Sequence, residues 1–186
     1  MFLDPQTCVN MAKTWYAVYT KSRNEKKVSE LFQRDGIDHY LPLITRLRIW
    51  SDRKKQISEP LFSSYIFVFI TEQEHLKVLQ TPGVVRFVTF ERKKVAVNPL
   101  QIEAIKLYVE TGEEFVENDA NYSVGKKVKV SRGPMKGLEG KLVEILGKQR
   151  VKVEIEAIGQ SVFIRIPKAS LEVIGEYKGP GKGISW

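Results

Sequence analysis

From Trp15 to Lys21 the chain is aromatic and β-branched without a breaker, and its alternation predicts a strand. One face of that strand carries Trp15, Ala17, Tyr19 and Lys21, the other Tyr16, Val18 and Thr20. Ser22-Arg23-Asn24-Glu25 has the spacing of a capping box, in which the serine oxygen and the glutamate carboxylate each satisfy a free backbone N–H. A helix is therefore expected as far as Asp35, with Val28, Leu31 and Phe32 inward and Gly36 as its stop. Arg46–Trp50 and Lys55–Ile57 flank Ser51-Asp52-Arg53-Lys54, the pattern of a hairpin with a basic tip. Leu61–Ile70 alternates Tyr65, Phe67 and Phe69 against Ile66, Val68 and Ile70, which predicts a strand. Thr71 and Glu74 form a second capping box, opening a helix that Pro82 and Gly83 close. Val84–Phe90 reads as a strand, and Asn98-Pro99 starts a third helix. Strands alternating with helices long enough to cover one sheet face predict an α+β sandwich.

From Tyr122 the period changes to two. Short apolar alternations at Val128/Val130, Leu142–Leu146, Val151/Val153/Ile155, Val162/Ile164/Ile166 and Leu171/Val173 are separated by turns at Gly133-Pro134, Gly147 and Gly159. Five strands in about 50 residues suggest a small closed or nearly closed barrel, which removes exposed strand edges.

Charge divides the chain the same way. Among 186 residues, 30 Lys+Arg against 22 Asp+Glu leave +8. Residues 1–98 hold 16 basic and 10 acidic side chains, and residues 122–186 hold 13 and 6. Between them, residues 99–121 hold Lys106 against six acids. Residues 111–121 lack apolar periodicity and read as an acidic linker, and residues 175–186, rich in glycine, as a flexible tail. The expected organisation is an N-terminal extension over 1–12, a first domain over 13–110, the linker, a second domain over 122–174 and the tail. A basic excess on both domains points to a polyanionic partner, nucleic acid above all.

The same inventory excludes other classes. Cys8 is alone, so no intramolecular disulfide or cysteine zinc site can form, and His39 and His75 match no metal spacing. No run of 18 apolar residues offers a membrane span, and no secretory signal is visible, so a cytoplasmic protein is expected. The glycines miss the phosphate-loop spacing and no G-x-S-x-G occurs, so neither catalytic residues nor a cofactor nor a metal is expected.

Two groups of side chains stand out as binding candidates. Trp15, Tyr19, Phe62, Tyr65, Phe67 and Phe69 lie on segments that can be neighbours; the plainer account is sheet core, and the functional one is an exposed protein interface. Lys21, Arg23, Lys26, Lys27 and Arg34 surround the first strand–helix turn, and Arg53, Lys54 and Lys55 the hairpin tip. Such clusters are either solvated faces or phosphate contacts.

Val128-Lys129-Val130-Ser131-Arg132-Gly133-Pro134-Met135-Lys136-Gly137-Leu138-Glu139-Gly140 resembles the KOW motif, an SH3-like barrel signature of transcription elongation factors and ribosomal proteins. Trp15-Tyr16-Ala17-Val18-Tyr19 with its capped helix, Glu59–Val68 and Thr81–Val88 resemble the NusG N-terminal domain, a ferredoxin-like α/β variant. Trp50–Lys55 with the Pro-Leu-Phe that follows is most similar to specialised paralogues of the RfaH and UpxY antiterminator type. The resemblance implies a monomeric factor that docks on the clamp helices of the largest RNA polymerase subunit and suppresses pausing and termination, for long operons such as those of polysaccharide synthesis. The positions matching the docking depression are Tyr19, Phe62, Tyr65 and Phe67. Lys21 and Arg34 match positions that read non-template DNA, with Arg23, Arg53, Lys54 and Lys55 as further nucleic-acid candidates; Pro82 departs from the arginine of RfaH. Met135, Lys136 and Leu138 match the turn through which the second domain contacts ribosomal protein S10 or Rho. That domain, dense in Val and Ile, looks committed to β rather than to refolding as helices. The alternatives are a housekeeping elongation factor of the same family and a ribosome- or RNA-binding KOW protein.

Overall fold

The computed structural model describes residues 12–49, 54–111, 123–145 and 148–175. These fall into two compact units: one runs to Pro99 and includes 156–159, the other takes Leu100–Ile155 and continues from Gln160.

The first unit begins with β1 (Thr14–Thr20), α1 (Glu25–Arg34), β2 (His39–Tyr40), β3 (Leu43–Ile49), β4 (Lys54–Pro60) and β5 (Tyr65–Ile70). It continues with α2 (His75–Leu79), β6 (Val84–Phe87), β7 (Thr89–Phe90) and β8 (Lys93–Lys94). Four strands make one sheet in the order β2-β5-β1-β6, antiparallel throughout. The alternation sorts its faces as the sequence requires. Val18, Ile66, Val68, Ile70 and Phe87 pack against Val28 and Phe32 of α1 and Val78 of α2 in one fully buried core. Leu31, expected inward as well, is only half-buried. Truncating a ring such as Phe32 in a core of this kind costs about 3–5 kcal/mol.

Helix α1 ends as the sequence predicts. Gly36 has φ +66, and Gly36 N–H and Ile37 N–H bond back to Gln33 O and Phe32 O, so Ile37 folds over onto Phe32 in the core. Its start differs from expectation. The cap is Asn24 without a side-chain cap bond, and Glu25 turns away to accept the Ser64 N–H at 2.6 Å. The β5 strand also starts later than expected: residues 61–64 form a turn with Ser64 at φ +65. Helix α2 is five residues rather than the longer helix expected, but Glu74 accepts from both Thr71 N–H (2.9 Å) and Thr71 Oγ1 (3.0 Å), half of the second capping box.

The hairpin forms as β3 and β4, in register from Leu43↔Pro60 to Ile49↔Lys54. Its expected tip, including Arg53, lies outside the described residues. A second, two-residue-stranded hairpin, β7–β8, follows β6 where a single continuous strand was expected.

Helix α3 (Pro99–Thr111) starts where Asn98-Pro99 predicts and buries Ile102, Ala104, Ile105 and Tyr108. Five strands follow: β9 (Ser123–Val130), β10 (Glu139–Ile145), β11 (Lys148–Ile155), β12 (Gln160–Ile164) and β13 (Leu171–Gly175). They form one antiparallel sheet in the order β12-β11-β10-β9-β13. Val128, Val130, Val151, Val153, Ile155, Val162 and Ile164 are buried as the period of two predicts, whereas Val173, expected with them, is 57% exposed. Gly140 is required by strand packing rather than by a turn. It sits in β10, and a Cβ there would stand 2.6 Å from Lys152 O and 2.7 Å from Val151 Cγ1, so β11 approaches too closely for any other residue.

Candidate functional site

The aromatic group of the first unit is built by register. Antiparallel pairing of β1 with β5 sets Trp15 opposite Phe69, Ala17 opposite Phe67 and Tyr19 opposite Tyr65. Trp15 and Phe69 rings lie 5.0 Å apart, and Tyr19 and Tyr65 meet edge-to-face at 5.4 Å. The 61–64 turn adds Phe62, edge-on to Phe67 at 6.1 Å. Such pairs are worth about 0.5–1.5 kcal/mol beyond their buried area. Burial divides the four docking candidates. Phe62 and Phe67 are buried, whereas Tyr19 and Tyr65 are half-buried. Arg86 on β6 lies opposite Tyr19 with its guanidinium 5.6 Å from the ring centroid, adding a cation to the row that sequence reasoning missed. Only the β1–β6 register reveals it.

Lys21, Arg23 and Arg34 do not converge on one spot. Lys21 and Arg23 are exposed in the turn after β1, where Arg23 has φ +61 and Lys21 N–H donates to Gly83 O at 2.8 Å. Arg34 is exposed at the other end of α1, about 15 Å away for a ten-residue helix at 1.5 Å per residue. It pairs with Asp35 at 2.9 Å, which holds that carboxyl below the ordinary carboxylate range. Lys54 and Lys55 stand on β4 opposite Ile49 and Arg48. Lys26 Nζ donates to Ser58 O at 2.6 Å, tying that hairpin to α1.

In the second unit the turn between β9 and β10 carries Met135, Lys136 and Leu138. Lys136 N–H donates to Gly133 O, Leu138 N–H to Met135 O and Gly137 N–H to Val130 O, so the turn is internally hydrogen-bonded. Ser131 anchors it to Ser170 O through both its N–H and its hydroxyl. Lys136 is exposed, Met135 half-buried, and Leu138 buried as the plug that holds the turn down. Among the described residues no three His, Cys, Asp or Glu side chains gather as a metal site, and no helix is long and apolar enough to cross a membrane.

Comparison with known proteins gives two matched spans, the first of which runs past Pro99 into α3. Residues 13–106 match the family model described as transcription termination factor nusG, and residues 124–156 match the KOW motif. The chain is 27% identical over 179 residues to the transcription termination/antitermination protein NusG of Halalkalibacterium halodurans, covering 88% of this chain and 100% of that one. To NusG of Bacillus subtilis it is 28% identical, covering 84% and 96%. A solved structure described as domain interaction in Thermotoga maritima NusG matches with a TM-score of 0.50 and 26% identity, over 88% of this chain and 98% of that one. An α/β N-terminal domain and a KOW domain, matched over these spans, place the chain in the NusG family of transcription factors, which are not enzymes.

Proposed function

We propose that the protein is an antitermination and elongation factor that docks on the clamp helices of RNA polymerase through the Arg86–Tyr19–Tyr65 row, with Phe62 and Phe67 beneath it as support. The observation that carries this reading is the row itself. A guanidinium and two half-buried tyrosine rings lie side by side across β6, β1 and β5, the mix of Arg and Tyr that dominates binding energy at protein interfaces. Lys21 and Arg23 lie in one exposed turn and contact non-template DNA, and Arg34 reaches it separately. On the KOW domain, Lys136 and Met135 face ribosomal protein S10 or Rho while Leu138 fixes their turn. The domains run over 13–110 and 122–174, joined by the acidic linker.

The test is a double variant, Tyr19→Ser with Tyr65→Ser, measured for affinity to a polymerase clamp-helix fragment. Binding falls at least about tenfold while the far-UV circular dichroism stays that of the parent. Unchanged affinity in a folded variant would sink the docking assignment.

Specialisation for long polysaccharide operons follows from the Trp50–Phe62 segment. The housekeeping reading is favoured by the match over the whole length of the Halalkalibacterium protein, which takes in 88% of this chain. Mapping the chromosomal DNA that carries this factor with polymerase separates them, since a specialised factor occupies one or a few operons and a housekeeping factor most transcribed genes.

A further inference from the structure

On the sheet face opposite Tyr19 and Tyr65, the β7–β8 hairpin, β6 and the start of α2 enclose a groove of about 740 Å³. Its floor is aromatic: Tyr16 and Phe87 meet edge-to-face, and His75 stacks on Phe87 at 4.4 Å and 20°. Lys94 lies 5.1 Å from the Tyr16 ring centroid and pairs with Glu72 at 2.6 Å, and Tyr16 donates its hydroxyl to the same carboxylate. Lys94, Glu72 and Tyr16 thus satisfy one another. Arg92 and Lys93 at the lip are a different matter, since among the described residues neither is paired with a carboxylate.

The hairpin that presents them is conformationally costly. Its two central residues, Glu91 and Arg92, have φ +48 and +64. Turns of this hand favour Asn-Gly, and other L-residues in that region cost about 1–2 kcal/mol each. Beside the turn, Phe90 stands opposite Lys93 and is 64% exposed. A strained tip carrying long charged side chains, next to a bare phenyl ring, is not what stability alone selects.

We propose that the β7–β8 hairpin at the lip of this groove binds single-stranded nucleic acid, an unpaired base stacking on Phe90 beside the groove and the phosphate backbone running along Arg92 and Lys93. A flat exposed ring beside unpaired cations is the combination that holds unpaired bases without reading their sequence. In a duplex the base faces are already stacked and unavailable to the ring. An acidic peptide fits less well, because strands of two residues offer too short an edge for strand addition. Arg86 of the docking row also lines the groove, but Phe90, Arg92 and Lys93, which carry the proposed contacts, belong neither to that row nor to the Lys21–Arg23 turn.

The full chain is titrated with labelled 12-mers of oligo-dT and oligo-U and with a 12-base-pair duplex across a potassium chloride series. Binding to either single strand, tighter than to the duplex, is expected, and the tighter of the two strands identifies DNA or RNA as the source. Phe90→Ser weakens it at least about fivefold. Arg92→Gln with Lys93→Gln flattens the log–log salt slope by about 1.4, at about 0.7 per phosphate contact. Glu91→Asn with Arg92→Gly raises the melting temperature yet weakens binding, a combination that a merely structural role does not produce. All variants keep the parent's affinity for the clamp-helix fragment, so failure here is distinguishable from failure of the docking row. The proposal is overturned if the duplex binds as well as the single strands, or if the loss is confined to a Lys21→Gln, Arg23→Gln variant. It is equally overturned if a polyglutamate peptide binds the groove and the oligonucleotides do not.

Discussion

Glu25 shows how one residue can serve a contact that its local sequence does not announce. Its place after Ser22-Arg23-Asn24 suggests a helix cap, but its carboxylate accepts the N–H of Ser64, 39 residues away. That bond is charge-assisted and the glutamate is only 5% exposed, so it is the strong kind. It fixes a turn that Ser64 enters at φ +65 and whose carbonyl at the same residue receives Thr20 N–H. Phe62 rides on that turn. Glu25→Ala leaves the Ser64 N–H without its partner and is expected to cost about 1–3 kcal/mol in urea unfolding. Limited proteolysis should cut the 61–64 turn faster, while Glu25→Gln, which keeps an acceptor, loses less. An unchanged urea midpoint for the alanine variant would remove this role. The Arg86–Tyr19 contact was hidden for the same reason: two residues far apart in sequence meet only once β1 and β6 are in register. By contrast Tyr19, Tyr65 and Phe67 were legible, because a period of two sorts faces without knowledge of the partner strand.

At the scale of elements, what reads well from sequence is what local chemistry decides. The Gly36 stop, the Pro99 start and the alternation of β5 are of that sort. Boundaries set by tertiary contacts read less well: β5 loses its first four expected residues to the 61–64 turn, and α2 shrinks to five. So short a helix depends on the 71–74 turn that leads into it, since its own N-cap, Glu74, makes no side-chain cap bond. Thr71 N–H donates to the Glu74 carboxylate, and this bond, ahead of the opposing effect of burial, holds the Glu74 carboxyl below the ordinary glutamate range. A carboxyl depressed in the folded state stabilises above the unfolded glutamate pKa and loses that contribution as pH falls through the folded one. Acidification below about pH 4.5 should therefore weaken α2 through this residue. Glu74→Gln should cost about 0.5–1 kcal/mol at pH 7. Its stability should then fall less steeply than the parent's on the acid side. Glu72 and Glu139, also depressed, titrate in the same sense in both proteins, so the difference between the two curves isolates Glu74. Parallel acid limbs would show that the turn carries no linkage.

At the scale of the whole chain, the two basic segments with an acidic stretch between them correspond to two folds of different kinds, and the second is committed to its strands by more than composition. Each of β9, β10 and β11 pairs on both sides, so every central strand has its backbone groups taken up by neighbours. Val151, Val153 and Ile155 are buried at every second position of β11, a period that a helix would scatter around its circumference. Gly125 and Gly140 are sites where neighbouring strands come too close for a side chain: a Cβ at Gly125 would meet Leu142 O at 2.0 Å. In a helix the same glycines would each cost about 1 kcal/mol relative to alanine. Helical refolding would thus abandon the pairing, expose the β-branched core and accept poor propensity together. The isolated fragment of residues 112–186 should accordingly give a β-type far-UV circular dichroism spectrum and unfold cooperatively in urea. A helical spectrum for that fragment would mean that the strands are held by the rest of the chain rather than by their own register.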